Sequence, residues 1–419
     1  MRGGAKQFLT IKTVFNMKST FYERAQALGH SMEALQAGTE IKSEIIVEDI
    51  DCLRKLLLDG APPEARQERA EAIFSRLGPL PDPINEGSET AILSRVTAFI
   101  YGDAPLDAID RERTKHLFPM SVTAFSALNK TISAPWDLGE SQNVVIVNLG
   151  TLTMEAGSSI FIKNTPLQFT VDSVIRNGAP PPNVNYDIAI LGVTGIAGTA
   201  GTAGGTGGVG GAGTNGTCSS PGIAGSAGGK GSTGATGGTG YTGNPGGDGK
   251  PSLSATIVVT TGITGNPGVL TIMTQSGAGG TGGTGGTGGT GGQGGPGGPG
   301  ATCGCEGTNG GPGGNGGPRG VGGTGGTGGN GVPGNDIYVT VPPGQLSKII
   351  KLPPVDAPAG VGGQGGGPGS KGPAGGGGGG GKHANGGGGG GEGSPGTQGA
   401  HGATGGSVGK AGNIYVKEG

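Results

Sequence analysis

Aromatic residues make up only 4% of this 419-residue chain and hydrophobic residues only 32%, both low for a globular protein. That scarcity excludes one large apolar core running through the whole chain. The net charge of −2 offers no basic footprint, so no nucleic-acid partner is expected. No apolar run approaches the roughly 18 residues that a membrane-spanning helix needs, so no membrane span is expected either. The opening stretch Met1-Arg2-Gly3-Gly4-Ala5-Lys6-Gln7-Phe8 lacks the apolar segment of a secretory signal. Export by a dedicated machine, an origin in a phage or injection system, and an intracellular life all stay open.

Cysteine is sparse, with Cys52, Cys218, Cys303 and Cys305 the only four. Cys303-Gly304-Cys305 is too tight for an easy mutual disulfide. Cys218 lies in a different glycine block and is a possible disulfide partner of Cys303 or of Cys305; free thiols in a reducing compartment are the alternative. Zinc would need more Cys or His at metal-ligand spacing, and His383 and His401 stand alone in glycine tracts.

Catalytic patterns are missing as well. There is no His pair at helical spacing. Gly228-Gly229-Lys230-Gly231-Ser232 lacks the first glycine of a phosphate loop and carries glycine between Lys and Ser. Glu155 and Asp172 read as solvated strand residues rather than an acid–base pair. The expectation is a protein with no enzymatic activity, no catalytic, cofactor-binding or metal-binding residues, and no cofactor.

What is present is glycine, 104 residues of it. Most of the charge precedes Trp136, and residues 1–135 read as a small, mainly helical domain. Ile50, Leu53, Leu56 and Leu57 fall on one face of a helix predicted over 47–59, which Gly60 stops. A second helix is predicted over 63–77, with Ile73, Phe74 and Leu77 as its apolar stripe, and a third over 89–101 behind a Ser88 cap. Residues 136–191 read as β-rich, with strands near Val144–Leu152, Ile160–Ile162, Gln168–Ile175 and Tyr186–Leu191.

From Gly192 every third residue is glycine, through Gly216 and, after Ser219, on to Gly249. A second block opens at Gly279 with four Gly-Gly-Thr triplets, slips its frame at Cys303 and again at Arg319, and continues to Gly334. A third runs from Gly360 to Gly412. Strand-like inserts separate the blocks and predict β-hairpins at 252–276 and 337–359. The closing Asn413-Ile414-Tyr415-Val416 matches the Asn335-Asp336-Ile337-Tyr338-Val339 insert. The pattern is an internal repeat of strand, turn, strand and glycine excursion.

A left-handed threefold helix has three residues per turn and no internal hydrogen bonds. Its amides and carbonyls need partners in neighbouring chains, and glycine at every third position lets those chains approach. The expected fold class is therefore mixed: a small, mainly α N-terminal domain, then a repeated β-strand sheet or solenoid whose glycine-rich insertions over 192–419 pack as a polyglycine II helical bundle. Collagen needs the same period, but proline is sparse here and strands interrupt the blocks; disorder leaves the held frame unexplained.

The run Gly322-Gly323-Thr324-Gly325-Gly326-Thr327-Gly328-Gly329-Asn330-Gly331 resembles the repeats of mycobacterial glycine-rich surface proteins. The Gly-Xaa-Xaa blocks resemble the bundle of the receptor-binding adhesins at the tips of T-even-type phage long tail fibres, and the snow flea antifreeze protein is similar in period. The resemblance covers about 192–419 and implies the polyglycine II architecture, with no binding residues carried over. Residues 1–140 match none of these groups.

Three functions follow as expectations. The first is an extracellular or particle-surface structural protein that self-assembles; the second is an adhesin that takes a surface receptor or glycan as partner. The third is an ice-binding protein, and a secreted toxin is a further alternative. Tyr241 breaks the small-residue pattern and is a candidate contact. Thr281, Thr284, Thr287 and Thr290 form a row at about 9 Å intervals, given the rise of such a helix. That row is a candidate array for ice or polysaccharide.

Overall fold

Leu167-Gln168-Phe169-Thr170-Val171 alternates apolar and polar residues, which sends one set to each face of a strand. In the computed structural model, which describes residues 20–58, 89–101, 104–141 and 143–419, Leu167, Phe169 and Val171 are buried and Gln168 and Thr170 are half-buried. They belong to β6 (Leu167–Arg176) in a seven-stranded sheet.

The other strands of that sheet are β1 (Ile41–Val47), β2 (Met120–Ile132), β4 (Val145–Met154), β10 (Ala255–Thr264), β12 (Ile337–Val341) and β14 (Ile414–Glu418). Their order is β1-β2-β4-β6-β10-β12-β14, with β1 antiparallel to β2 and all other pairs parallel. A five-stranded parallel sheet contains β3 (Trp136–Glu140), β5 (Ile160–Lys163), β7 (Ile188–Leu191), β11 (Leu270–Gln275) and β13 (Ile349–Lys351), in the order β13-β11-β7-β5-β3. A short pair, β8 (Cys218–Ser220) and β9 (Ile223–Ala224), stands apart.

The two large sheets share one apolar core. Val147, Leu149, Phe169, Val171, Ile257 and Val339 from the larger sheet meet Ile160, Ile162, Ile190 and Ile272 from the smaller. On the other face of the larger sheet, Val122, Ala124, Val144 and Ile146 pack with residues of α3 (Ile50–Leu58) and α4 (Glu89–Tyr101). α1 (Phe21–Ala27) lies beside them, followed by α2 (Met32–Gln36), and α5 (Ala108–Thr114) leads into β2. Thr20 and Glu23 close a reciprocal capping box on α1.

This architecture corrects the expected fold class. The chain is a mixed α/β fold on a seven-stranded mixed sheet and a five-stranded parallel sheet, and it is not a repeat solenoid. In the two large sheets strand lengths run from 13 residues in β2 to three in β13, so successive units are not equivalent. The N-terminal part does not stand apart as a helical unit, because it contributes β1 and β2 to one side of the larger sheet. The reason lies in β2: Val122 and Ala124 are buried under helices while Ala127 faces the inter-sheet core. A strand covered on both faces loses the alternation that would reveal it.

Two further expectations change. Val47 ends β1 rather than opening a helix, and the helix starts at Ile50. The runs predicted as hairpins do not pair with one another, since β10 and β11, like β12 and β13, lie in different sheets. The turns between them are corners. At one of them Gly265 has φ +103°, and a Cβ there would stand 2.4 Å from the Arg176 carbonyl oxygen, so glycine is required on both counts. The helix predicted over 63–77, Ser88, Gly60 and the opening octapeptide lie outside the described residues.

Candidate functional site: the glycine slab and its loops

Six glycine tracts leave and re-enter the sheets, spanning residues 192–216, 225–250, 277–301, 307–334, 357–381 and 384–412. They are numbered one to six. Every third amide donates to a neighbouring tract. Gly198 N–H reaches Thr281 O at 2.8 Å and Gly282 N–H reaches Val361 O at 2.9 Å, so tracts one, three and five run parallel in one layer. Gly243 N–H reaches Thr324 O and Gly325 N–H reaches Ala400 O, each at 2.9 Å, which sets tracts two, four and six in a second layer. Antiparallel bonds join the layers, such as Gly286 N–H to Tyr241 O, Gly323 N–H to Gly286 O and Gly366 N–H to Gly323 O, each at 2.8 Å.

The layers continue the sandwich. Tracts one, three and five leave after β7, β11 and β13, which neighbour one another in that order; tracts two, four and six return to β10, β12 and β14, also in order. Tracts three and four each bond to four neighbours, and tracts one and six to two. Glycine usage follows from this. Tract three needs two glycines per triplet because a Cβ at Gly285 would stand 1.9 Å from Gly323 O, and one at Gly286 1.9 Å from Thr202 O. Tract one, at an edge, needs only one.

The third residue of each triplet remains for solvent. Thr281, Thr284 and Thr287 are exposed and Thr290 is half-buried, all on tract three. Ala197, Ala200, Ala203 and Val209 follow on tract one, with Val209 71% exposed, and Val361 on tract five is 60% exposed. Residues 192–217 and 275–302 contain no Asp, Glu, Lys or Arg, so this face is uncharged across tracts one and three. Tyr241 sits at the edge formed by tracts one and two. Its amide donates to Thr202 O at 2.9 Å and its side chain is 65% exposed, while the 84% exposed Ile196 lies two turns further along tract one.

The far end carries the connecting loops. Cys218, between tracts one and two, is bonded to Cys303, between tracts three and four, with Cα atoms 5.6 Å apart. Lys382, between tracts five and six, donates from Nζ to Gly304 O at 3.1 Å and from its amide to Thr302 Oγ1 at 3.2 Å. One disulfide and two hydrogen bonds thus tie all three loops. Cys305 is an exposed free thiol, and Cys52, far away in α3, is also free, with its pKa raised by burial.

The remaining candidates stay apart. Glu155 accepts from Asn177 Nδ2 at 3.3 Å, whereas Asp172 accepts from Arg24 Nη2 at 2.6 Å and Thr260 Oγ1 at 2.9 Å. Lys230, His383 and His401 are exposed. Among the described residues no group of three His, Cys, Asp or Glu is placed to hold a metal, and no helix is long and apolar enough to cross a membrane.

Sequence reasoning noted the frame slip at Arg319 without assigning it a role. It missed the buried Arg176–Asp187 pair, in which Nε meets Oδ1 at 2.6 Å while Nη1 donates to the Glu155 carbonyl at 2.9 Å. Asp187 Oδ2 in turn accepts from Thr271 N–H at 2.8 Å, so the pair fastens one corner to the next. No family model, no curated protein and no solved structure matches the chain.

Proposed function

We propose that this is a non-enzymatic structural protein of an extracellular or particle surface, in which the sandwich is a base and the glycine slab a rigid plate that associates with further copies. The observation that carries this reading is the uncharged face of tracts one and three, where Val209 is largely exposed beside rows of alanine and threonine. A flat row of small, uncharged side chains desolvates at little cost when a like face covers it. The disulfide supports an oxidising compartment. Light scattering of the full-length protein tests the reading. A dimer or larger assembly that Val209→Lys with Thr287→Lys returns to monomer is expected; a wild-type monomer at all concentrations overturns it.

A second reading, an adhesin, is favoured by the cross-tied loops at the far end, because a stiff scaffold holds recognition loops at low entropic cost. Its partner would be a surface receptor or glycan, tested by pull-down with cells or glycans. Ice binding, the third reading, would show as inhibition of ice recrystallisation by the monomer.

A further inference from the structure

Along tract four, every third residue from Gly310 to Gly331 is glycine except Arg319. Its amide keeps the register, donating to Ser394 O at 3.1 Å between the bonds from Gly316 and Gly322. The lattice beyond it is broken. Tract six bonds to tract five through Gly393 to Gly372 and Gly399 to Gly366, while the intervening amide, Gly396, makes no such bond. A Cβ at Gly396 would meet Arg319 Cβ at 3.1 Å, so the arginine stem occupies the space in which the two tracts would otherwise close.

Arg319 also lines a cavity of about 450 Å³, together with Lys371, Glu392 and the chain around Ser370. Arg319 Nε is buried and has no hydrogen-bond partner among the described residues. A guanidinium carries its charge at any ordinary pH, and a buried donor without an acceptor is costly. Among the described residues Lys371 pairs only with Glu392, at 3.4 Å and with both side chains exposed to solvent, an interaction weak enough to yield to a competing anion. The three groups sum to one net positive charge.

We infer that this cavity binds an oxyanion, a carboxylate, phosphate or sulfate, on a molecule up to the size of an acidic monosaccharide. Arg319 supplies the planar donor fork that matches such a group, and Lys371 a second cation. The volume lies within the range of about 300–1,000 Å³ found for small-ligand pockets.

Calorimetric titration of the full-length protein with sulfate, phosphate and glucuronate, and with glucose as the neutral control, tests the inference. At least one anion is expected to bind while glucose gives no heat. Arg319→Gly restores the glycine of the lattice, so it should keep the fold while weakening anion binding by at least about tenfold, as loss of a charged hydrogen bond implies. Glu392→Gln, which removes the opposing charge, should tighten it a few-fold. No heat from any of the three anions, or unchanged binding in Arg319→Gly, overturns the inference. Which anion binds separates a free inorganic ion from an acidic sugar.

Discussion

Gly286 and Gly205 sit in neighbouring tracts of the same layer, yet a methyl group would meet very different surroundings. At Gly286 it would stand 1.9 Å from the Thr202 oxygen, a backbone atom that cannot give way without moving a tract. At Gly205 nothing lies within 4 Å. Gly286→Ala should cost about 3 kcal/mol, the upper range for overpacking. Gly205→Ala should be neutral or gain roughly 0.4–1 kcal/mol by restricting the unfolded chain. Calorimetric melting of the two variants checks this, and equal midpoints would mean that close approach does not select glycine here. The threefold period made such positions legible in the sequence, because the frame itself marks the face that meets a neighbour. Arg319 was legible only as a slip. Lys371 and Glu392, which share its cavity, are brought there by the stacking order of tracts four, five and six, and no local pattern encodes that order.

Among the elements, those between glycine blocks were the easiest to read, since turn residues bracket each short apolar run. β6, β10 and β12 lie close to their expected positions. β1 and β2 were not legible: β1 finds its partner across a long stretch of chain, with Ile41 opposite Ser126, and β2 is covered on both faces. His30 helps to hold them together. It follows α1, and its Nδ1 lies 2.7 Å from Ser126 Oγ on β2 while Nε2 lies 2.8 Å from Ser43 Oγ on β1. Burial holds its pKa below the ordinary histidine value. The folded ring therefore binds a proton less tightly than the unfolded one. The contribution is complete above the unfolded pKa, about 6.5, and is lost as pH falls through the lower folded value. Melting temperature should decline between pH 7 and pH 5, and His30→Gln, which cannot titrate, should flatten that decline. An identical slope in both proteins would show that other groups carry it.

At the scale of the whole molecule, one stacking order governs two kinds of structure. The sandwich is held by apolar side chains between sheets, the slab by backbone hydrogen bonds between tracts, and each tract inherits its neighbours from the strand it leaves or enters. The sequence period shows that tracts must pack but not how many surround each one, since that follows from sheet order. Stability should grade accordingly. Tracts three and four are enclosed by four neighbours and cannot open without releasing bonds on all sides, whereas tracts one and six can peel away from two. Local opening begins where the fewest contacts are lost, so amide hydrogen exchange should be slowest in the middle of the slab. Gly283 and Gly326 are expected to exchange at least about tenfold more slowly than Gly198 and Gly402, although all four amides make bonds of 2.8–2.9 Å. Bond length therefore cannot produce the difference; only the number of enclosing tracts can. Exchange at one common rate would instead mean that the slab opens as a single cooperative unit, with the Cys218–Cys303 tie and the sandwich clamping its edge tracts as firmly as its centre.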